Sequence, residues 1–434
     1  MGKLCKDENM TDTFITRIQV NQSRNIRDLT IPLSETERKH LIITGKNGSG
    51  KTSLLEELVR FLGKLDNPNY TNYFNRLNQL KSKQNQSAWI KAHPRTDETA
   101  ARIAPLQARI DKYENSIRGF DRDIGISFSE SFPVVFWDVQ RGNFLIAFYA
   151  AKRQAQLIVP KGIEKVSLKE KYSTNERVSP AFLQYLVNLK AERSFARDDG
   201  EEEAVRTIDG WFDRFENRLK VLFQSPDLQL RFDRKNYNFE IFEEEGKLPF
   251  AFNQLSDGYS AILSIVTDLL LRMEGHGAGN HAGVYDLEGV VLIDEIETHL
   301  HVALQKEILP FLIDFFPKIQ FIVTTHSPFV LSSVSNAVIC DLEERMVTED
   351  LSAYSYDAIV ESYFEADKYS EEIKRKVSRY EALVAMAPIS AEEAEERRRL
   401  KAYFSAAAPK YLSRELAMKL RQIESWSSGN ETCD

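Results

Sequence analysis

The sequence predicts an α/β fold built on an open parallel sheet, with an inserted helical hairpin, a helical lobe and a C-terminal helical region. Two observations predict the sheet. The short apolar run His40–Thr44 leads directly into a glycine-rich loop and a helix, and residues 290–339 read strand, helix, strand, turn. This alternation is typical of parallel sheets. Since ligands bind at the carboxyl ends of parallel strands, we expect the candidate site at that edge.

The composition excludes several classes of protein. The chain has 434 residues and a net charge of −8, which argues against non-specific coating of nucleic acid as the main activity. No apolar run approaches the roughly 20 residues of a membrane helix. Residues Met1–Thr13 are polar and acidic, without a secretory stretch, and predict a cytoplasmic location. The cysteines are too few and scattered for a disulfide framework or a zinc site: Cys5, Cys340 and Cys433.

The predicted head is discontinuous and spans residues 14–345. It begins with Phe14–Leu33, where apolar and polar residues alternate around Asn25, as in a β-hairpin. The helix Lys51–Leu62 follows the glycine-rich loop. Farther along, Phe132–Asp138 and Phe144–Ala151 are predicted as two strands joined by a turn at Gln140–Asn143.

Residues 66–126 are predicted to form an inserted antiparallel helical hairpin that turns at His93–Thr96, with Thr96 as a helix cap. Between Tyr70 and Ile124 there are 10 Lys/Arg and 6 Asp/Glu. The hairpin is therefore either a solvated arm or a contact surface for a partner or nucleic acid. Two apolar series with spacings of three and four residues mark the helices: Tyr70, Tyr73, Leu77 and Leu80, then Ile103, Leu106, Ile110, Tyr113, Ile117 and Phe120.

Two further regions complete the predicted organisation. Residues 160–247 are expected to form a helical lobe with a β-hairpin at Leu228–Phe232 and Asn238–Phe242. Residues 350–434 are expected to form a C-terminal helical interaction region. Its charged helices, predicted at Tyr369–Leu383 and Ala391–Phe404, are either docking surfaces or a solvated cap.

Gly45–Thr52 fits the phosphate-loop pattern G-x-x-x-x-G-K-[ST] and stands between a strand and a helix, as that pattern requires. Glycines let successive N–H groups point at phosphate oxygens, and the helix N-terminus adds positive potential. Lysine neutralises β- and γ-phosphate charge, and the threonine hydroxyl is a ligand for Mg²⁺. We therefore predict binding of ATP and Mg²⁺ by Gly45, Asn47, Gly48, Gly50, Lys51, Thr52 and Ser53.

Two later strands end in residues that suit the same site. Gly289–Ile293 is apolar and is followed by Asp294 and Glu295. Asp294 is predicted to hold Mg²⁺, and Glu295 to activate the attacking water as a general base. The next strand, Phe321–Thr324, leads to His326, which we expect to sense the γ-phosphate.

The order of these motifs resembles the ABC-type ATPase heads of RecF, SMC and OLD proteins, over residues 14–62, 127–160 and 248–340. The segment Leu255–Ser260 resembles their signature loop. The resemblance implies a homodimer in which Ser256 and Gly258 contact the γ-phosphate bound by the other copy. It also implies that His326 is the switch histidine and that Thr298–His301 is the D-loop, although His299 and His301 also fit plain surface histidines.

The sequence departs from the transporter form of this signature. Asp257 and Tyr259 replace the second glycine and the glutamine of LSGGQ. In this respect the segment resembles the SMC and RecF branch rather than the transporters. The glutamine of the Q-loop, which binds metal and water, has two candidates. Gln154 is preferred because it follows the apolar run Phe144–Ala151, and Gln140 is the alternative.

A closer resemblance is to the PtuA-type ATPases of Septu and retron antiphage systems. It rests on Phe252–Tyr259, Ile293–His301, Thr324–Pro328 and Leu351–Tyr356. It implies an ATP-hydrolysing sensor that controls a separate effector nuclease, an HNH protein of the PtuB kind. A RecF- or SMC-like repair ATPase that binds DNA on its dimer surface is the alternative. We expect no nuclease centre in the chain itself, because neither a D-x-D strand end after His326 nor an HNH arrangement is present.

Overall fold

The computed structural model describes residues 12–93, 99–117, 123–243, 248–276, 287–353, 359, 371–386, 388–411, 416 and 418–420. The chain divides into two compact units, Met1–Tyr354 and Ser355–Asp434. Among the helices in the described ranges, none combines the length and the apolarity that crossing a membrane requires.

The strands of the first unit form three sheets, in the orders β2-β1-β4, β12-β11-β3-β10-β9-β5 and β6-β7-β8. In chain order they are β1 Ile15–Ser23, β2 Ile26–Pro32, β3 His40–Thr44, β4 Ile124–Phe128, β5 Phe144–Tyr149, β6 Gln229–Asp233, β7 Asn238–Phe242, β8 Phe250–Ala251, β9 Glu288–Ile293, β10 Ile319–Thr324, β11 Ala337–Asp341 and β12 Met346–Glu349.

Helices surround these sheets and make up the described part of the second unit. They are α1 Lys51–Asp66, α2 Thr71–Ala92, α3 Thr99–Ile117, α4 Phe132–Arg141, α5 Phe182–Asp199, α6 Glu202–Leu222, α7 Asp257–His276, α8 Val302–Phe315 and α9 Pro328–Leu331 in the first unit, then α10 Glu371–Ala385 and α11 Ala391–Tyr411 in the second.

The central six-stranded sheet confirms the predicted α/β class. β5, β9, β10, β3 and β11 run parallel, and β12 joins the edge antiparallel to β11. β3 and β10 are buried along their whole length, as expected for strands covered on both faces. The carboxyl ends of β5, β9, β10 and β3 therefore meet along one edge.

Helix α1 lies between the two sheets of the head, because it contacts β1 and β4 on one side and β5 and β10 on the other. The predicted hairpin β1–β2 is confirmed, and β4, which the sequence did not reveal, pairs with β1. Leu54, Leu58 and Leu62 are fully buried in this core. Each contributes about 1.5–3 kcal/mol through removal of apolar surface from water. This packing fixes the start of α1 against the sheet edge.

The predicted strand Phe132–Asp138 is wrong, because these residues begin α4. Its buried residues Val135, Phe136 and Val139 follow a helical spacing, with Pro133 in the first turn. Gly142 ends the helix at φ 79°, and a Cβ there would lie 2.6 Å from the Glu170 carbonyl oxygen. An apolar run of seven residues fits a strand or a buried helix equally well, and only the packing against α1 decides between them.

The insertion contains the paired helices α2 and α3, which lie against each other. Ile90 on α2 and Leu106 and Ile110 on α3 are buried. The predicted turn with Thr96, and Phe120 of the apolar series, lie outside the described residues.

Helices α5, α6 and α7 form the lobe together with the hairpin β6–β7, which the sequence predicted. Between residues 150 and 178 the chain has no helix or strand. Trp211 and Phe215 of α6 stack at 5.4 Å between ring centroids, and Phe182 contacts the same cluster. Helix α7 is buried on almost all sides, so it passes through the middle of the unit rather than along its surface.

The described part of the second unit is the helix pair α10 and α11. Tyr380 and Val384 of α10 pack with Phe404 of α11 in a small apolar cluster. An ion pair between Arg379 and Glu396 links the helices at 2.7 Å.

Candidate active site

The glycine-rich loop after β3 has the backbone of a phosphate cradle. Gly45, Gly48 and Gly50 have φ values of 132°, 85° and 103°, a region that other residues rarely adopt. Gly50 is the N-cap of α1, where no side chain caps the helix and no acidic residue stands in the first turn. The N–H groups at this helix start are thus oriented for an anion.

Lys51 lies in the centre of the loop, with only 6 % of its surface exposed. Its Nζ donates to the carbonyl oxygens of Gly45 at 2.7 Å and Lys46 at 3.0 Å. Burial lowers the pKa of Lys51, while the carboxylates of Glu295, Glu297 and Asp294 oppose that shift. A phosphate would supply the counter-charge that the loop lacks.

Asp294, just after β9, faces the same loop. Its Oδ1 accepts from Thr324 Oγ1 at 2.6 Å and from Thr52 Oγ1 at 3.3 Å, and the residue is 5 % exposed. A carboxylate and a hydroxyl are hard oxygen donors of the kind that Mg²⁺ prefers. Thr52 and Asp294 therefore fit the predicted metal site. The sequence had not singled out Thr324, because a threonine at a strand end is ordinary.

Glu295 and His326 flank the loop from β9 and β10. Glu295 adopts an unusual left-handed backbone, φ 44°, and its Oε2 accepts from Thr298 Oγ1 at 3.2 Å. The backbone N–H of His326 donates to Glu297 Oε1 at 2.5 Å. Burial and the nearby Lys51 charge lower the pKa of His326, which favours the neutral form of its ring.

A cavity of about 280 Å³ joins these groups. It brings together most of the predicted residues, and it adds Arg24 and Asn25 from the β1–β2 turn, which the sequence had marked only as a turn. Arg24 lies 3.9 Å from Glu56 of α1. The full lining is Arg24, Asn25, Asn47, Gly48, Gly50, Lys51, Thr52, Ser53, Glu295 and His326.

The signature residues lie elsewhere. Ser256 and Gly258 line a second cavity of about 470 Å³ with His299 and His301, and it shares no lining residue with the first. At Gly258 a Cβ would lie 2.8 Å from the His299 carbonyl oxygen, so the start of α7 requires glycine there. Tyr259 stacks on Phe223 at 4.4 Å, which gives the departure from the transporter signature a packing role in the lobe.

Neither candidate Q-loop glutamine lines the cavity of the phosphate loop. Gln154 is exposed, and its Nε2 donates to Asp257 Oδ1 of the signature segment at 3.3 Å. Its role as a metal ligand stays a prediction. Gln140 lies in the last turn of α4, not in a hairpin turn, and donates to the Leu65 carbonyl oxygen at 2.8 Å.

One buried residue near the site was missed entirely. Arg153 follows β5 and donates to backbone carbonyls of the turn that contains Asp294 and Glu295. An arginine in an irregular segment gives no sequence signal for such a contact.

The central part of the chain matches a known family. Residues 149–332 match a model described as "AAA domain, putative AbiEii toxin, Type IV TA system". The matched range contains the signature segment, Asp294, Glu295 and His326, and it ends just after α9.

Two relatives cover most of the chain. The Septu protein PtuA of Bacillus mycoides (strain KBAB4) is 26% identical over 343 residues, which is 76% of this chain but only 41% of that protein. The Retron Vc95 probable ATPase of Vibrio cholerae serotype O1 biovar El Tor is 25% identical over 450 residues, 85% of each chain.

A third relative has a higher sequence identity over a shorter region, and solved structures have lower sequence identities. The Retron Ec83 probable ATPase of Escherichia coli is 37% identical over 97 residues, which is 22% of this chain and 18% of that protein. A solved SMC head bound to the C-terminal winged-helix domain of ScpA is 14% identical, covers 79% of this chain and 100% of that one, and has a TM-score of 0.37. The fold assignment rests instead on the strand order given above. Residues 149–332 are thus similar to that AAA domain model, and most of the chain is similar in sequence to a Septu PtuA protein and to a retron ATPase.

Proposed function

We propose that the protein binds and hydrolyses ATP as a homodimeric subunit of an antiphage-defence complex and controls a separate effector nuclease. The observation that carries the ATPase part is the single cavity in which the phosphate loop, Glu295 and His326 face one another beside the Thr52–Asp294 pair. The defence setting is supported by the homology to Septu and retron proteins.

Each residue has a defined role in this proposal. Lys51 exchanges its two contacts with carbonyl oxygens for contacts with phosphate oxygens. Burial lowers the pKa of Lys51, but the negative charge of the phosphates favours its charged form. Thr52 and Asp294 hold Mg²⁺, which would neutralise phosphate charge when bound. Glu295 accepts the proton of the attacking water, and the His326 ring hydrogen-bonds at the γ-phosphate end.

The separation of the two cavities supports the dimer. Ser256 and Gly258 share no cavity with the phosphate loop of their own chain, so a contact with nucleotide would come from a second copy. The N-terminus of the 20-residue helix α7 follows Ser256 and contributes positive potential, which the carboxylate of Asp257 in the first turn partly offsets.

Nucleotide titration tests the ATPase part. Asp294→Ala is expected to abolish the Mg²⁺ dependence of ATP binding and to stop phosphate release, whereas the exposed Asp350→Ala leaves both as in the parent. Mg²⁺-dependent turnover by Asp294→Ala at the parental rate would contradict the assignment.

Co-purification tests the effector part. The tagged chain is expected to retain a nuclease encoded beside it, in at least one nucleotide state. Arg398→Glu combined with Arg399→Glu on the exposed face of α11 is expected to weaken capture, while Arg206→Glu on α6 is the matched control. Absence of a complex with ATP, with ADP and without nucleotide would count against control of a nuclease.

A specific observation also supports nucleic-acid binding as a second candidate function. Helix α2 has no Asp or Glu, although the protein as a whole is acidic. Its cations include the exposed Lys81 and Lys91. Near its end Trp89 is 58 % exposed and stacks on His93 at 5.0 Å, a surface on which a base can stack.

Salt-dependent binding of single-stranded DNA tests this second candidate. Lys81→Ala with Lys91→Ala should lower both the affinity and the slope of log K against log salt, because fewer counterions are released. The exposed pair Lys161→Ala and Lys165→Ala is the control. Equal slopes of log K against log salt for the two double variants would contradict the proposal that α2 binds nucleic acid.

A further inference from the structure

The turn after β9 is held from its carbonyl side by one guanidinium group. Arg153 Nη1 donates to the Asp294 carbonyl oxygen at 2.8 Å and to that of Ala150 at 3.2 Å. Its Nη2 donates to the carbonyl oxygens of Glu295 at 3.1 Å and Ile296 at 2.8 Å. Three successive carbonyls of the turn therefore point at Arg153, which is 7 % exposed. The fork of fixed donors in arginine suits this arrangement, and a lysine could not reproduce it.

The N–H side of the same turn is held by β10. The Glu295 N–H donates to Thr324 Oγ1 at 2.7 Å, and the Ile296 N–H donates to the Thr324 carbonyl oxygen at 3.1 Å. Glu295 has φ 44°, a conformation that costs a residue with a Cβ roughly 1–2 kcal/mol. The hydrogen bonds on both sides stabilise this conformation, which aims the Glu295 side chain at the cavity of Lys51.

Glu297 extends the same support to His326. One carboxylate oxygen, Oε1, accepts from the His326 N–H at 2.5 Å. The other, Oε2, is buried and has no hydrogen-bond partner among the residues that the structure describes. A buried carboxylate needs a nearby cation. Arg153 brings a buried cation to this turn, because its Nη2 donates to the carbonyl oxygen of Ile296, the residue before Glu297, at 2.8 Å.

We infer that Arg153 and Glu297 are positioning residues for ATP hydrolysis, in which Arg153 fixes the backbone of Glu295 and Glu297 fixes the backbone of His326. Neither lines the cavity that holds the phosphate loop. They act through Glu295 and His326, and so they set the rate of the chemical step rather than the affinity for nucleotide. This inference rests on the proposed ATPase function.

Arg153→Lys is the main test, since it keeps the charge but loses the fork, and Arg153→Met removes both. We expect kcat to fall about 10–100-fold while the Kd for ATP changes less than about threefold, the pattern of an interaction needed mainly in the transition state. Lys152→Met, which alters the exposed neighbour, should leave both values unchanged.

Two further measurements separate positioning from a general loss of structure. Amide hydrogen exchange of residues 294–297, measured without nucleotide, should accelerate in Arg153→Lys more than exchange in β3 or β11. Glu297→Gln keeps an oxygen for the His326 N–H and should retain more of kcat than Glu297→Ala does. Glu297→Met, which fills a similar volume without an acceptor for the His326 backbone N–H, should lose about as much of kcat as Glu297→Ala, a result that is not expected from a residue that only fills space.

The outcomes distinguish this inference from the proposed function. The proposed function is overturned if the parent protein releases no phosphate from ATP. It is also overturned if the parent does release phosphate and Glu295→Gln releases it at the same rate. If those two behave as proposed, then Arg153→Lys with parental kcat and parental exchange overturns the positioning role alone. A kcat loss matched by an equal loss of ATP affinity also overturns it.

Discussion

Replacing Glu295 by glutamine changes the basicity of one side chain and little else. The two residues have the same shape, and glutamine can place its carbonyl oxygen where Oε2 now accepts from Thr298 at 3.2 Å. The backbone bond from Glu295 N–H to Thr324 is unaffected by the side chain. The left-handed φ of 44° is equally accessible to both residues. Folding should therefore be unchanged.

The expected effect on hydrolysis follows from the loss of the general base. A positioned base contributes about 10²–10⁴-fold to a rate, which corresponds to about 3–5 kcal/mol in the activation free energy. Because Glu295 also places a negative charge near Lys51, its removal should leave the affinity for ATP unchanged or increase it. ATP should accumulate bound and unhydrolysed.

The assay combines phosphate release with equilibrium binding of ATP. Glu307→Gln, which neutralises an exposed glutamate on α8, is the matched control and should behave as the parent. Turnover of Glu295→Gln at the parental rate would refute the assignment of Glu295 as the base. Loss of ATP binding together with turnover would instead indicate that the carboxylate is needed to hold the nucleotide.

Further predictions concern binding, assembly and acid stability. Lys51→Ala removes the two charge-assisted contacts that Lys51 would make with phosphate, about 1.5–3 kcal/mol each, so calorimetry should show ATP affinity at least about 100-fold weaker. An unchanged Kd would contradict the phosphate-loop assignment. Ser256→Arg in the Glu295→Gln background should prevent ATP-dependent dimers in light scattering without preventing ATP binding. Dimers that persist would argue against a homodimer in which Ser256 contacts the nucleotide of the other copy. Burial lowers the pKa of His40 to about 4, and its Nδ1 accepts a hydrogen bond from the Phe321 N–H. The unfolded chain takes up a proton at this histidine near pH 6.5, whereas the native state does not. The free energy of unfolding therefore decreases as the pH falls from 6.5 towards 4. Between pH 7 and 4.5 this amounts to about 2–3 kcal/mol, and denaturant unfolding of His40→Gln should lack this part of the loss, whereas the exposed His93→Gln should retain it.

The sequence was most informative where a short segment carries both its fold and its chemistry. The phosphate loop needs glycines at φ values that other residues avoid, and its strand and helix flank it directly, so Gly45–Thr52 predicted its own structure. The ends of β9 and β10 were placed for the same reason: an apolar strand followed by polar groups can only present them at the sheet edge. The stretch Phe132–Asp138 failed because its apolar residues fit either period until α1 is present to cover one face.

By itself the sequence determined the parallel sheet, the glycine-rich loop after β3 and the order of the residues around it. The tertiary structure alone decided that Ser256 and Gly258 lie in a cavity separate from Lys51, that Arg24 joins the first cavity, and that Arg153 holds the turn of Glu295. These are contacts between segments far apart in the chain, and Arg153 makes its contacts with backbone carbonyls. A carbonyl is present at every residue, so no pattern of side chains could have predicted which ones Arg153 would bind.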